Sequence, residues 1–225
     1  MGECSEWFAD KERRGLIAGA CGQLEVATSA ALATGPLSGA GYVAVVCHPH
    51  PQHGGTMDNK VASTLARTYR DLGVPVVRFN FRGVGQSEGQ FADGVGELAD
   101  LLAVIAWLQA ELPGKRLLLA GFSFGSGVAA QAAQRLQSTV CHLVLVAPPV
   151  ERYSYDQDKL LPCPALVIIG EQDELVDVPG VQRWVASLRS DCELITYADA
   201  THFFHGKLGL LKKDLASALE GALSA

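Results

Sequence analysis

Leu117-Leu118-Leu119-Ala120-Gly121-Phe122-Ser123-Phe124-Gly125-Ser126-Gly127 is the stretch around which the rest of the chain can be ordered. Residues 117–120, all apolar, predict a buried strand, and the Ala-rich run 128–136 beyond the glycines predicts a helix. Between them stands G-x-S-x-G in a strand-turn-helix context, where a sharp turn lifts a serine hydroxyl clear of the backbone. The flanking glycines follow from that sharpness, since a side chain at either position would collide with neighbouring backbone. Ser123 would also stand at a helix N-terminus, whose field favours developing negative charge. Ser123 is therefore the candidate nucleophile. The competing use of such a turn is to hold a phosphate or to let helix and strand pack closely.

Outward from this turn the alternation repeats. Short apolar runs rich in β-branched residues, 42–47, 74–81, 143–147, 166–169 and 193–197, look like buried parallel strands. Val61, Leu65, Tyr69 and Leu72 recur at helical spacing, as do Val95, Leu98, Leu102, Ile105 and Leu108, and each set predicts a helix with one apolar face. Alternating strands and helices require a mostly parallel α/β sheet with helices on both faces. Ahead of it, runs 15–18 and 23–28 about a turn at 19–22 predict an N-terminal β-hairpin, followed by a Gly/Pro-rich loop at 35–41. No repeat or linker interrupts the 225 residues, so a single domain over 1–225 is expected.

Composition narrows the partners. With 48% hydrophobic and 19% charged residues the chain is too apolar for disorder. A net charge of -6 and a pI near 5.5 supply no basic field for nucleic acid or an anionic membrane surface, so neither partner is expected. No 18-residue apolar run occurs, and residues 1–14 mix charges and aromatics where a signal peptide needs an apolar core. Glu6 occupies the position at which a myristoylation signal beginning at Gly2 needs Ser or Thr. A cytoplasmic location is the expectation. Cys4, Cys21, Cys47, Cys141, Cys163 and Cys192 form no C-x-x-C pair and are expected to be reduced.

A serine hydroxyl is a poor nucleophile until a base takes its proton, and a carboxylate must hold that base in the right tautomer. Both partners follow Ser123 at the ends of later strands. Strand 166–169 runs into Gly170-Glu171-Gln172-Asp173-Glu174-Leu175-Val176, and the last strand leads to Ala200-Thr201-His202-Phe203-Phe204-His205-Gly206. Asp173 is the expected acid, with Glu171, Glu174 and Asp177 as rivals, and His202 the expected base, with His205 as rival. The backbone N–H of Phe124 is one expected oxyanion donor. The second is expected from the loop His48-Pro49-His50-Pro51-Gln52-His53-Gly54-Gly55, after the strand 42–47. Pro49 and Pro51 have no N–H, which points to His50, with Gly54 and Gly55 as alternatives.

Residues 48–60, the run Phe79-Asn80-Phe81-Arg82-Gly83-Val84-Gly85-Gln86-Ser87-Glu88-Gly89 and the turn 121–125 together resemble a branch of small bacterial α/β-hydrolases related to dienelactone hydrolases. The resemblance runs from about Gly15 to the C-terminus. It implies the α/β-hydrolase fold and carboxylesterase-type chemistry on a small-molecule ester, without cofactor, and carries Ser123, Asp173 and His202 onto the family's triad positions. Dienelactone hydrolases proper use Cys where this chain has Ser123, so lactone specificity is not implied. Ser87, outside any such turn, is expected to be structural.

In this fold a lid normally follows the strand 143–147, but only residues 148–162 precede Cys163-Pro164 and the next strand. No lid domain is expected, and an open cleft favours short or soluble acyl groups. A loop folding over larger substrates is the alternative. Thioester or lactone hydrolysis would use the same triad. Two other classes are a non-catalytic binding protein on this fold and a metal-dependent hydrolase using His48, His50 and His53, whose H-x-H-x-x-H spacing resembles a binuclear zinc motif with Gln52 in place of the usual Asp.

Overall fold

In the computed structural model, which describes residues 5–9 and 12–224, eight strands form one sheet. They are β1 (Arg13–Gly19), β2 (Gly22–Ser29), β3 (Tyr42–Cys47), β4 (Val76–Phe79), β5 (Arg116–Phe122), β6 (Val140–Val146), β7 (Ala165–Gly170) and β8 (Cys192–Tyr197). Their spatial order is β1-β2-β4-β3-β5-β6-β7-β8. β1 and β2 form the expected hairpin, β2 runs antiparallel to β4, and every other pair is parallel. Cys4 and the Gly2 signal considered above lie outside the described residues.

The continuous apolar runs are explained by burial on both faces. Along β3, Val43, Val45 and Cys47 enter one core while Tyr42, Ala44 and Val46 enter the other, the period-2 alternation of a strand covered on both sides. Helices α2 (Val95–Glu111) and α3 (Phe124–Leu136) cover the first face, and α1 (Lys60–Asp71) and α5 (Leu208–Leu223) the second. A shorter helix, α4 (Val178–Ser187), adds Val181 to the first core. No helix among the described residues is long and apolar enough to cross a membrane. Cys21, Cys47, Cys141, Cys163 and Cys192 are all free thiols.

Two expectations are corrected. Residues 193–197 were expected to be a buried strand, but β8 is half exposed because it forms the sheet edge. The inward face of α2 is Leu98, Leu101, Val104, Ile105 and Leu108, while Val95 is 75% exposed and Leu102 is only partly buried. Two buried carboxylates set this rotation. Glu97 accepts the N–H groups of Ala92 and Gly94 at 3.0 and 2.8 Å, and Asp100 receives three hydrogen bonds from Arg82. By contrast Val61, Leu65, Tyr69 and Leu72 are all buried as predicted, and Asn59 caps α1 by accepting the N–H groups of Val61 and Ala62.

Two buried histidines make stability pH-dependent. Burial holds His48 and His142 down to about 4 from the usual 6.5. Above 6.5 each ring is neutral in both states; below it the unfolded chain takes up a proton that the folded chain does not. Stability is therefore lost as pH falls from 6.5 towards about 4, by roughly 1.4 kcal/mol per pH unit for each ring. His142 Nδ1 has no hydrogen-bond partner, so His142→Leu removes the titration without breaking a bond at that atom. Urea titrations across this range should give a shallower pH dependence for His142→Leu than for wild type; equal slopes would refute the account.

Candidate active site

The turn after β5 holds Ser123 at φ 53° and ψ -122°, a backbone conformation sparsely populated for non-glycine residues that costs roughly 1–3 kcal/mol. Close packing explains the glycines on either side. A Cβ at Gly121 would lie 2.2 Å from the Gly125 carbonyl oxygen, and one at Gly125 would lie 2.4 Å from that of His48. The turn is pinned by its neighbours. Ser123 N–H donates to Val146 O at 2.8 Å, while the N–H and hydroxyl of Ser126 both donate to Ser123 O, at 2.9 and 2.5 Å. Because the Ser126 proton is committed there, the buried Tyr155 hydroxyl, 2.7 Å away, is the donor to Ser126 Oγ. A tyrosine from the β6–β7 segment thus braces the strained turn through one serine.

Asp173 and His202 come together at the ends of β7 and β8. Their loops are laced by Glu171 N–H to Tyr197 O and Gln172 N–H to Ala200 O, and a Cβ at Gly170 would lie 2.2 Å from Ala200 O. Asp173 Oδ1 accepts the N–H groups of Leu175 and Val176, both at 2.9 Å. Its Oδ2 lies 2.8 Å from His202 Nδ1, with the Asp and His side chains 0% and 2% exposed. A carboxylate accepts, so Nδ1 carries the proton and Nε2 keeps a free lone pair. The His202 ring packs on Phe122, the residue before Ser123, at 5.0 Å between centroids, and on Phe203 at 5.1 Å. Among the described residues Ser123 Oγ has no hydrogen-bond partner, His202 Nε2 included; such contacts often tighten only around substrate.

The rivals have other positions. Glu171 is exposed, Glu174 accepts the backbone N–H of His202 at 3.2 Å, and Asp177 pairs with Arg183 at 3.4 Å. His205 is exposed, its ring 6.0 Å from Phe203.

In the loop after β3, Gly55 N–H donates to His50 O at 3.0 Å, which engages that alternative donor within the loop. The N–H groups of His50 and Phe124 donate to no protein acceptor among the described residues. His48 is a cross-link: Nδ1 donates to Pro49 O at 2.6 Å and Nε2 accepts Phe81 N–H at 3.0 Å. Both ring nitrogens are engaged, so His48 has no lone pair to share with His50 and His53. Ser87 donates to Asn80 O and accepts Glu25 N–H, a structural pin on the arginine-glycine loop.

A family model for the alpha/beta hydrolase fold matches residues 45–162. The chain belongs to the α/β-hydrolase family. An uncharacterized protein of Rickettsia prowazekii is 38% identical over 176 residues, 73% of each chain. An alpha-beta serine hydrolase homologue from Coxiella burnetii superposes with a TM-score of 0.87 at 39% identity, covering 94% of this chain and 99% of that one. A serine hydrolase without lid from Xanthomonas campestris gives 0.89 at 39% identity, covering 97% and 98%. Among its described residues this α/β-hydrolase likewise has no lid domain: between β6 and β7 the chain forms only turns and one isolated bridge, Gln157 with Leu160.

Sequence reasoning missed the supporting roles of three residues of this α/β-hydrolase, Glu174 having been weighed only as a rival acid. Ser126 was readable in principle, standing three residues after the serine at a helix start, where hydroxyls bond back to the chain. Tyr155 and Glu174 act across 29 and 28 residues, and nothing local in the sequence signals those contacts.

Proposed function

We propose that this α/β-hydrolase is a cytoplasmic serine esterase that cleaves small carboxylic esters with short or soluble acyl groups, through an acyl-enzyme on Ser123. The observation that carries the reading is the buried Asp173–His202 pair, 2.8 Å apart, beside a serine held on a strained strand-to-helix turn. Ser123 Oγ attacks the ester carbonyl carbon as His202 Nε2 takes its proton, and Asp173 stabilises the imidazolium that forms. The carbonyl oxygen, now negative, is held by the N–H groups of His50 and Phe124 at the start of α3; one such donor is worth roughly 10²–10³ in rate. His202 returns the proton to the departing alkoxide. Water activated by the same imidazole then cleaves the acyl-serine.

Without a lid, nothing encloses a long alkyl chain in apolar walls. Along p-nitrophenyl esters from acetate to palmitate, kcat/KM should peak at short acyl groups and show no jump at the critical micelle concentration. Efficiency that climbs towards palmitate, or activation by micelles, would rule the short-acyl reading out.

A further inference from the structure

The two residues assigned as oxyanion donors also carry aromatic rings, and these rings open a continuous cluster. His50 and Phe124 lie 5.0 Å apart between centroids; Phe91 lies 4.9 Å from His50 and 5.9 Å from Phe124; Tyr153 meets Phe124 edge-on at 5.6 Å. Phe124 is 2% exposed and forms the floor, while His50, Phe91 and Tyr153 are each half-buried. Tyr153 reaches this place because α3 has Gly127 there: a Cβ at Gly127 would stand 3.1 Å from the tyrosine's Cβ. His53 stacks on His50 at 4.3 Å and 20°, and desolvation followed by the nearby His53 keeps His50 below its usual range. The wall is uncharged at neutral pH.

A second aromatic group, Phe122, His202 and Phe203, shares no ring contact with the first. On the serine-esterase reading His202 delivers its proton to the leaving oxygen, so the alcohol portion of a bound ester would lie on its side, which leaves the side of His50, Phe91 and Tyr153 for the acyl portion.

We propose that this esterase selects esters with an aromatic ring in the acyl group, which stacks on the wall formed by His50, Phe91 and Tyr153 over Phe124. The inference rests on the serine-esterase reading above. The chemistry is unchanged: the bond from Ser123 Oγ to the aryl-acyl carbon forms, the carbon–alkoxy bond breaks, and the serine proton leaves with the alcohol through His202. Offset or edge-on ring contacts are individually small but add to ordinary apolar burial, and two of them amount to about 10-fold in rate or affinity.

The test compares ethyl phenylacetate with ethyl cyclohexylacetate, followed by pH-stat titration. The two acids have similar size and the ethyl leaving group carries no ring to compete for the wall; because a phenyl ring makes the acyl carbon intrinsically more reactive, each kcat/KM is divided by the same ester's rate constant for hydroxide hydrolysis before the ratio is taken. The expected result is a normalised kcat/KM about 10-fold higher for the phenylacetate, with the ratio reduced several-fold by Phe91→Leu and by Tyr153→Leu. A wild-type ratio near one, or a ratio that neither substitution changes, overturns the proposal. So does turnover of p-nitrophenyl acetate without turnover of ethyl phenylacetate. A preference confined to phenethyl acetate over cyclohexylethyl acetate puts the wall on the alcohol side and overturns it as well. Loss of every ester activity together with the absence of serine labelling would instead remove the underlying esterase reading.

Discussion

Ser123→Ala should fold as the wild type does, take no label from a fluorophosphonate probe and hydrolyse p-nitrophenyl acetate about 10⁶-fold more slowly. The chemical loss is the whole covalent route, because no other hydroxyl stands on the turn with its bonds free. Ser126, three residues on, has its proton on Ser123 O and its lone pair on Tyr155. The fold is spared because Ser123 Oγ holds no hydrogen bond among the described residues, whereas the backbone bonds that pin the turn, Ser123 N–H to Val146 O and Ser126 N–H to Ser123 O, are untouched. Intact circular dichroism with lost labelling is the expected pair of results. Near-wild-type turnover in this variant would remove Ser123 from the mechanism.

Asp173→Asn should lower kcat by about 10⁴-fold while preserving the fold. The geometry says why an isosteric change is so costly. Asp173 Oδ1 accepts two backbone N–H groups, from Leu175 and Val176, and only the amide oxygen of Asn can take that place. The amide NH₂ is then turned towards His202 Nδ1, 2.8 Å away in the wild type. It can donate there only if Nδ1 is unprotonated, which moves the ring proton to Nε2, the atom that must accept from Ser123. Glu174→Gln keeps an acceptor for the His202 N–H and should cost only a few-fold. If Glu171→Gln or Asp177→Asn produced the large loss instead, the acid has been misassigned.

Much of the fold could be read because buried parallel strands and the serine turn leave local marks. The runs 42–47 and 166–169 are apolar throughout since both faces are covered, and Gly121 and Gly125 are glycines since backbone approaches them within the space of a Cβ. What could not be read depends on distant partners. Val95 fits the helical period yet faces outward, because Glu97 and Asp100 turn inward to cap backbone and bind Arg82. Residues 193–197 have strand composition but no local sign that nothing pairs beyond them. Leu211, Leu215, Leu219 and Leu223, buried along α5, carried a four-residue spacing that the strand-helix reading did not extend to the C-terminus. At the site, Asp173 and His202 followed from chain order and strand ends, whereas the brace by Tyr155 is a tertiary contact.

That brace restricts where the chain can accommodate inserted sequence. Tyr155 divides the β6–β7 segment into two parts with different freedom. Upstream, residues 147–155 are the tether between the end of β6 and the hydroxyl that steadies Ser126, so added length there loosens the nucleophile's backbone. Downstream, Asp158 and Lys159 form an exposed tip in left-handed conformations, φ 52° and 63°, closed by the Gln157–Leu160 pair and tied on by Arg189, whose N–H donates to Lys159 O at 2.9 Å and whose guanidinium donates to Asp158 O at 2.7 Å. A cap spliced in at residues 158–159 would therefore give up the Arg189 contacts but leave the hydroxyl relay to Ser123 intact, whereas one spliced in upstream of Tyr155 would act on the relay itself.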